Sequence, residues 1–132
     1  MSDPILFICQ LNMVRSPMAE GLARKKGHNA VSCGLDPGEA DELMIAVMRE
    51  VGIHMSEHEP KSLNDFTGQT FDRIVTFSED SRQTALAVFG EDAPIELWAV
   101  PNPSMGSHDV RAIMDTYRSI RTVIANRIDR LS

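Results

Sequence analysis

The sequence lacks the features that mark several large classes of protein. Its 132 residues include only two cysteines, Cys9 and Cys33, which are too few for the disulfide framework of a small secreted domain. Neither cysteine has companion ligands at the spacing of a metal site. We therefore expect neither a disulfide scaffold nor a bound metal.

Long apolar runs and long basic runs are absent as well. The first apolar run, Ile5–Cys9, is far too short to cross a bilayer, and no basic leader followed by an apolar stretch precedes it. The chain has 13 basic and 19 acidic residues, a formal net charge of -6, and no basic run longer than residues 24–26. Binding to a nucleic acid backbone needs a broad basic surface. We expect a cytoplasmic protein whose partners include neither membrane nor nucleic acid.

The composition is otherwise that of an ordinary globular protein. Hydrophobic residues make up 42% of the chain and charged residues 24%, close to average usage. A chain of 132 residues is also the usual size of one compact domain. We therefore expect a single domain over residues 1–132.

Strand patterns and helix patterns alternate along the chain. Strands are predicted over residues 4–9, 29–33, 71–77 and 95–100. Helices are predicted from a Ser16 cap followed by Pro17, along an apolar stripe that ends before Gly52, and over residues 81–89 and 110–131. Such alternation predicts an α/β fold with a parallel, doubly wound sheet. Ligands of these folds bind beyond the carboxyl ends of the strands, where the loops at residues 10–15 and 101–106 converge.

The first of these loops has the residues of an oxyanion site. Cys9 ends the first strand and Arg15 precedes the first helix, so five residues separate a thiol from a guanidinium. Backbone N–H groups, the positive end of the helix and the planar fork of Arg15 together suit a phosphate-sized anion. The predicted phosphate-binding residues are Gln10, Leu11, Asn12, Met13, Val14, Arg15 and Ser16.

The same surroundings predict that Cys9 is a nucleophile. Cationic neighbours and a helix N-terminus favour the thiolate form of a cysteine. Ser16 is placed to donate its hydroxyl to that thiolate, and Asn12 is suited to hold the loop because asparagine tolerates left-handed backbone. The alternative is that Cys9 is a small core residue and Arg15 a surface charge.

Residues 9–22 resemble the active-site loop and first helix of the low-molecular-weight protein tyrosine phosphatases. Further matches are Ser32-Cys33-Gly34, the stretch from Gly52 to His58, residues 71–76 and residues 98–103. The resemblance implies a four-stranded parallel sheet of order 2-1-3-4 with helices on both faces, and it implies no metal or other cofactor. It also implies that Cys9 attacks phosphorus while Arg15 and the loop amides stabilise the phosphoryl oxygens, and that water then hydrolyses the phosphocysteine. The implied substrate is a phosphorylated small molecule or a phosphoprotein.

The sequence departs from the family pattern at its general acid. The family has an Asp-Pro pair after the fourth strand, where this chain has Asn102-Pro103, and an asparagine cannot donate a proton. A positioned acid typically contributes about 10²–10⁴ in rate. We expect activity to be weakened or redirected to substrates that need little protonation, unless another carboxylate replaces the acid. The candidates for that role are Asp36, Glu39 and Asp109.

The sequence departs from the family pattern at two further positions. Leu11 replaces a family glycine, so it must adopt an ordinary backbone conformation or carry strain, and Val14 replaces a second family cysteine.

The sequence leaves two alternative functions open. One alternative function is a phosphate- or phosphopeptide-binding module that has lost turnover. The other is a redox protein similar to the arsenate reductases of this fold, which would use Cys9 and Cys33 as a disulfide pair.

Overall fold

A computed structural model describes residues 3–100 and 109–131 of the protein. The strands are β1 (Ile5–Cys9), β2 (Ala30–Gly34), β3 (Arg73–Thr76) and β4 (Ile95–Leu97). The helices are α1 (Arg15–Lys25), α2 (Glu42–Arg49), α3 (Glu79–Phe89) and α4 (Val110–Asp129), with a short 3-10 helix at Leu63–Phe66. Strands and helices alternate as the sequence predicts, apart from the 3-10 helix, which was not predicted.

The four strands form one parallel sheet in the order β2-β1-β3-β4. β1 pairs with β2 on one side and with β3 on the other, so that Ile8 lies between Cys33 and Thr76. All five residues of β1 are buried, as expected for a central strand covered on both faces. The α/β class and the strand order implied by the family resemblance are confirmed.

Helices cover both faces of this sheet. Phe7 and Val75 point to the face covered by α1, α2 and α4, where Met44, Met48 and Tyr117 are buried. Leu6 and Ile74 point to the opposite face, which packs against α3 and the 3-10 helix. Because successive side chains of a strand alternate between faces, β1, β2 and β3 each contribute to both core clusters.

Several element boundaries differ from the prediction. The last predicted strand ends at Leu97 rather than at residue 100, although Trp98 and Val100 are both buried. The third strand spans only Arg73–Thr76, although Phe71 and Phe77 beside it are also buried. Burial alone therefore does not extend a strand. In the described part of the chain, none of the helices has both the length and the apolar character needed to cross a membrane.

One ion-pair network joins α2 to α4 and makes stability depend on pH. Glu50 accepts hydrogen bonds from Arg118 and Arg121 of α4, at 2.7 and 2.9 Å. These bonds lower the pKa of Glu50 from its ordinary 4.5 to about 2. A carboxylate whose pKa is depressed by folding stabilises the native state above its unfolded pKa, and that stabilisation is lost as the pH falls toward the folded pKa.

We predict that Glu50→Gln lowers stability at neutral pH and that its difference from wild type shrinks between pH 4.5 and about 2. Urea unfolding at a series of pH values measures this difference. Asp115→Asn is the control, because Asp115 also bonds to Arg118 but from within α4. A difference between Glu50→Gln and wild type that stays constant down to the acidic limit would contradict the assignment.

Candidate active site

The loop between β1 and α1, residues 9–16, lies at the carboxyl end of the central strand. Cys9 is the last residue of β1 and Arg15 is the first residue of α1, and both are buried. The Cys9 carbonyl accepts a hydrogen bond from the N–H of Leu35 at 3.1 Å, and the Ile8 carbonyl accepts one from Phe77 at 3.2 Å. The neighbouring strands thus hold the start of the loop from both sides.

Asn12 fixes the conformation of this loop. Its φ is 55°, and it is the one non-glycine residue with positive φ in the part of the chain that the structure describes. The side-chain amide donates to Ser16 Oγ at 2.8 Å and to Ser32 Oγ at 3.0 Å, while its oxygen accepts from the N–H of Lys61 at 2.9 Å. The prediction that Asn12 holds the loop through left-handed backbone is confirmed. Leu11 therefore carries no left-handed strain.

The Ser16 side chain contacts residues beside the loop and does not cap α1. The sequence predicted a Ser16 cap with Pro17 as the first helical residue, but α1 begins two residues earlier, at Arg15, with Val14 in the cap position and no side-chain cap hydrogen bond. Ser16 Oγ instead lies 2.9 Å from Cys9 Sγ and 3.3 Å from the Cys33 carbonyl. Because Ser16 and Pro17 lie in the first turn, whose N–H groups have no intrahelical partners, the proline still fits the helix.

Arg15 is anchored through one of its guanidinium nitrogens. Nη1 donates to the carbonyls of Phe77, at 3.2 Å, and Val100, at 2.9 Å. Burial lowers the pKa of Arg15, and the charge of the nearby Cys9 opposes that shift. Arginine keeps its charge at neutral pH even so. Within the described residues the other guanidinium N–H groups have no hydrogen-bond partner, which leaves them free for an anion.

A second set of polar residues supports Asn12 and was not predicted to belong to the site. Ser32 Oγ donates to Glu20 Oε1 at 3.1 Å, so that Asn12 rests on a buried serine and a buried carboxylate. His58 Nε2 lies 2.9 Å from the Asn12 carbonyl, which only accepts, so this nitrogen carries the proton. The signal for Glu20 is its position four residues after Ser16, on the same face of α1.

Cys33 is not positioned to form a disulfide with Cys9. The two thiols belong to core clusters on opposite faces of the sheet, and both are free and buried. Burial, followed by the charge of Cys9, raises the pKa of the Cys33 thiol. The hypothesis that Cys33 approaches Cys9 closely enough for a disulfide is therefore wrong, because adjacent positions along paired strands point to opposite faces.

The candidate acids lie in different surroundings. Asp36 is exposed and its backbone N–H donates to the Gln10 carbonyl at 2.9 Å, whereas Glu39 lies further along the same exposed segment. Asp109 caps α4 and accepts a hydrogen bond from the Arg111 N–H at 3.1 Å. Asn102 lies outside the described residues. No three histidine, cysteine or carboxylate side chains within residues 3–100 and 109–131 are grouped to hold a metal ion.

Comparison with known proteins gives a consistent family. The family described as low molecular weight phosphotyrosine protein phosphatase matches residues 4–132. A protein named glutaredoxin arsenate reductase, from Synechocystis sp., is 28% identical and the match covers 96% of this chain and 94% of that protein. A low molecular weight protein-tyrosine-phosphatase, Ptp, from Acinetobacter johnsonii is 31% identical, with 92% of this chain and 93% of that protein covered. The crystal structure of a low molecular weight protein tyrosine phosphatase from T. tengcongensis matches with a TM-score of 0.75 and 26% identity, over 98% of this chain and 100% of that chain.

The close approach of Gly34 to the loop generates a prediction. A Cβ atom at position 34 would lie 2.7 Å from the Asn12 nitrogen and 2.8 Å from the Leu11 carbonyl carbon, both of them backbone atoms. We expect Gly34→Ala to destabilise the protein by about 1–3 kcal/mol. The loop backbone is held by strands on both sides, so it cannot easily move away from the added methyl group. Urea unfolding measures the loss.

Gly21→Ala is the matched control for this substitution. A Cβ at position 21 meets Met55 Sδ at 2.9 Å and Ile53 Cγ2 at 3.0 Å, which are side-chain atoms. Alanine also favours a helix interior by about 1 kcal/mol over glycine. If the two substitutions destabilise the protein equally, this would contradict tight packing of the loop backbone against Gly34.

Proposed function

The chain belongs to the low molecular weight phosphotyrosine protein phosphatase family, and on that premise we propose that it hydrolyses phosphomonoesters through a cysteinyl-phosphate intermediate. Cys9 is the proposed nucleophile, and the proposed substrate is a phosphorylated small molecule or a phosphoprotein. The observation that carries the proposal is the buried Cys9 thiol, which is hydrogen-bonded to the Ser16 hydroxyl at the start of the loop that leads to Arg15.

The contact between Cys9 and Ser16 supports a reactive thiolate. A thiolate only accepts hydrogen bonds, so with Cys9 ionised the Ser16 hydroxyl donates across the 2.9 Å contact. Asn12 donates to the same hydroxyl oxygen at 2.8 Å, which orients the serine proton away from Asn12 and toward its acceptors. The N-terminus of α1, which is the positive end of the helix dipole, also favours a thiolate at Cys9. The proposed attack forms an S–P bond and breaks the P–O bond to the leaving group.

Arg15 and the loop amides are proposed to hold the phosphoryl group. The two bonds from Nη1 fix the guanidinium plane, so its remaining N–H groups face an anion in a constant orientation. A planar fork of this kind matches two phosphoryl oxygens. The proposed phosphate-binding residues are those of the sequence prediction: Gln10, Leu11, Asn12, Met13, Val14, Arg15 and Ser16.

The substitution of asparagine for the family acid at Asn102 is proposed to redirect this activity. A phenolic leaving group has a conjugate acid of pKa about 10 and leaves slowly without a proton. An acyl phosphate or an activated aryl ester needs much less protonation. We infer that the enzyme acts faster on such substrates than on phosphotyrosine.

A second candidate function is reduction of arsenate, which the 28% identical glutaredoxin arsenate reductase favours. Arsenate has the shape and charge of phosphate and would occupy the same loop. Cys33 is unsuited to resolve an arsenic adduct on Cys9, because its side chain lies on the opposite face of the sheet. This candidate therefore needs a second thiol from a separate molecule.

The nucleophile is tested with an activated ester, dinitrophenyl phosphate, whose leaving group needs little help from an acid. We expect the wild-type protein to release phosphate, Cys9→Ser to release none, and Cys33→Ala to resemble wild type. Phosphate release measured under multiple-turnover conditions decides the outcome. Phosphate binding by the wild type without release would contradict the enzyme proposal and favour a binding module.

Restoring an acid at position 102 tests the redirected activity. We expect Asn102→Asp to raise kcat for phenyl phosphate by about tenfold or more while changing that for dinitrophenyl phosphate little, because only the first leaving group needs the proton. Asn102→Gln is the control, since it cannot donate a proton as an acid does. An unchanged ratio of the two rates in Asn102→Asp would contradict the explanation.

A further inference from the structure

We propose that Asp36 is a catalytic residue of this enzyme, which supplies the leaving-group proton in place of position 102 but less effectively than a carboxylic acid at position 102 would. The inference rests on the proposed function, because it assigns a role within the same reaction. It starts from the segment that follows β2, residues 34–38, called the rim segment below.

The rim segment is fastened to the β1–α1 loop along its whole length. The N–H groups of Leu35, Asp36 and Gly38 donate to three successive loop carbonyls, those of Cys9, Gln10 and Leu11, at 3.1, 2.9 and 3.0 Å. These bonds continue the pairing of β2 with β1 beyond the last strand residues. Asp36 is the middle donor, so its backbone is fixed directly beside the loop that would hold the phosphoryl group.

Packing and backbone chemistry restrict the rim segment further. A Cβ at position 38 would lie 2.5 Å from Met13 Sδ, and one at position 34 would lie 2.7 Å from the Asn12 nitrogen, so both ends are pressed against the loop. Pro37 follows Asp36 and confines the Asp36 backbone to extended conformations. The carboxylate is therefore carried on a rigid support, although the residue itself is exposed.

Asp36 is also free to exchange a proton. Within residues 3–100 and 109–131 its carboxylate has no hydrogen-bond or ion-pair partner. A phosphoryl dianion bound in the adjacent loop disfavours a second negative charge at its edge, and so favours the protonated carboxylic acid. In the proposed mechanism this exposed acid, whose backbone is fixed beside the loop, protonates the leaving group, which departs on the side opposite to Cys9.

Three other carboxylates, those of Asp41, Glu79 and Glu20, are engaged in structural hydrogen bonds. Asp41 caps α2 and accepts a hydrogen bond from the Tyr117 hydroxyl at 2.6 Å. Glu79 bonds to Arg82 and Gln83, and these bonds lower its pKa and keep it ionised. Glu20 is buried behind the loop. Asp80 is exposed in the first turn of α3, after the neighbouring strand β3, and no bond ties it to the loop.

The proposed steps balance in protons and electron pairs. As Cys9 Sγ bonds to phosphorus, the P–O bond to the leaving group breaks and its electron pair stays on the leaving oxygen. The Asp36 carboxylic acid protonates that oxygen and becomes a carboxylate. In the second step the carboxylate takes a proton from water, the water oxygen bonds to phosphorus, and the S–P bond breaks to restore the thiolate.

The experiment compares aryl phosphates whose leaving groups differ in pKa, from dinitrophenyl phosphate to phenyl phosphate. We expect Asp36→Asn to lower kcat/KM, which reports phosphoryl transfer to Cys9 and not the later hydrolysis, by about tenfold or more for phenyl phosphate and to leave kcat/KM for dinitrophenyl phosphate within about threefold of wild type. The plot of log kcat/KM against leaving-group pKa becomes steeper in the variant. Asp36→Glu, which keeps an acid, restores the slope in part.

Asp80→Asn is the matched control, since it removes an exposed carboxylate beyond the strand on the other side of β1. The proposal is overturned if Asp36→Asn leaves the slope unchanged, if it slows both substrates equally, or if Asp80→Asn gives the steeper slope. These results differ from failure of the proposed function, in which the wild-type protein releases no phosphate even from dinitrophenyl phosphate.

Discussion

The left-handed backbone of Asn12 is the constraint on which the site depends. The loop between β1 and α1 turns through one residue with positive φ, Asn12, at 55°. Left-handed backbone is costly for a residue with a side chain, so it persists only where the surroundings compensate. Here the compensation comes from bonds to Ser16, Ser32 and the Lys61 N–H. The conformation of the loop thus depends on the adjacent helix α1 and on two distant segments, at Ser32 and Lys61.

Burial of Arg15 is the second cost that the architecture has to offset. A charged guanidinium loses much of its hydration when it is buried, and carbonyl dipoles replace only part of it. Phe77 and Val100, which follow β3 and β4 in the chain, supply two such dipoles. The loss that remains favours an anion beside Arg15. Under the proposed function, the burial that is costly for Arg15 also strengthens its attraction for a phosphoryl group.

The sequence predicts most of the fold and the centre of the site. Alternating strand and helix patterns were enough to place β1, α1 and the loop between them, and Asn12 was recognised from its residue type. Residues that act at long range were harder to find: Ser32 and Lys61 reach Asn12 only because β2 and the chain after α2 return to the loop. Ser16 was misassigned as a cap because a serine before proline at a helix start has two uses, and only tertiary contacts distinguish them.

The two cysteines lie on opposite faces of the sheet, and their chemical surroundings differ. Cys9 lies at a strand end, where polar groups of the loop and α1 surround it, whereas Cys33 is enclosed by Leu6, Ile8 and other apolar residues. Burial raises the pKa of the Cys33 thiol and keeps it protonated. A one-residue offset between paired strands is enough to produce this separation, since it inverts the face to which a side chain points. Cys33 is the only other cysteine in the sequence, so a second thiol that reacts at Cys9 must come from a separate molecule.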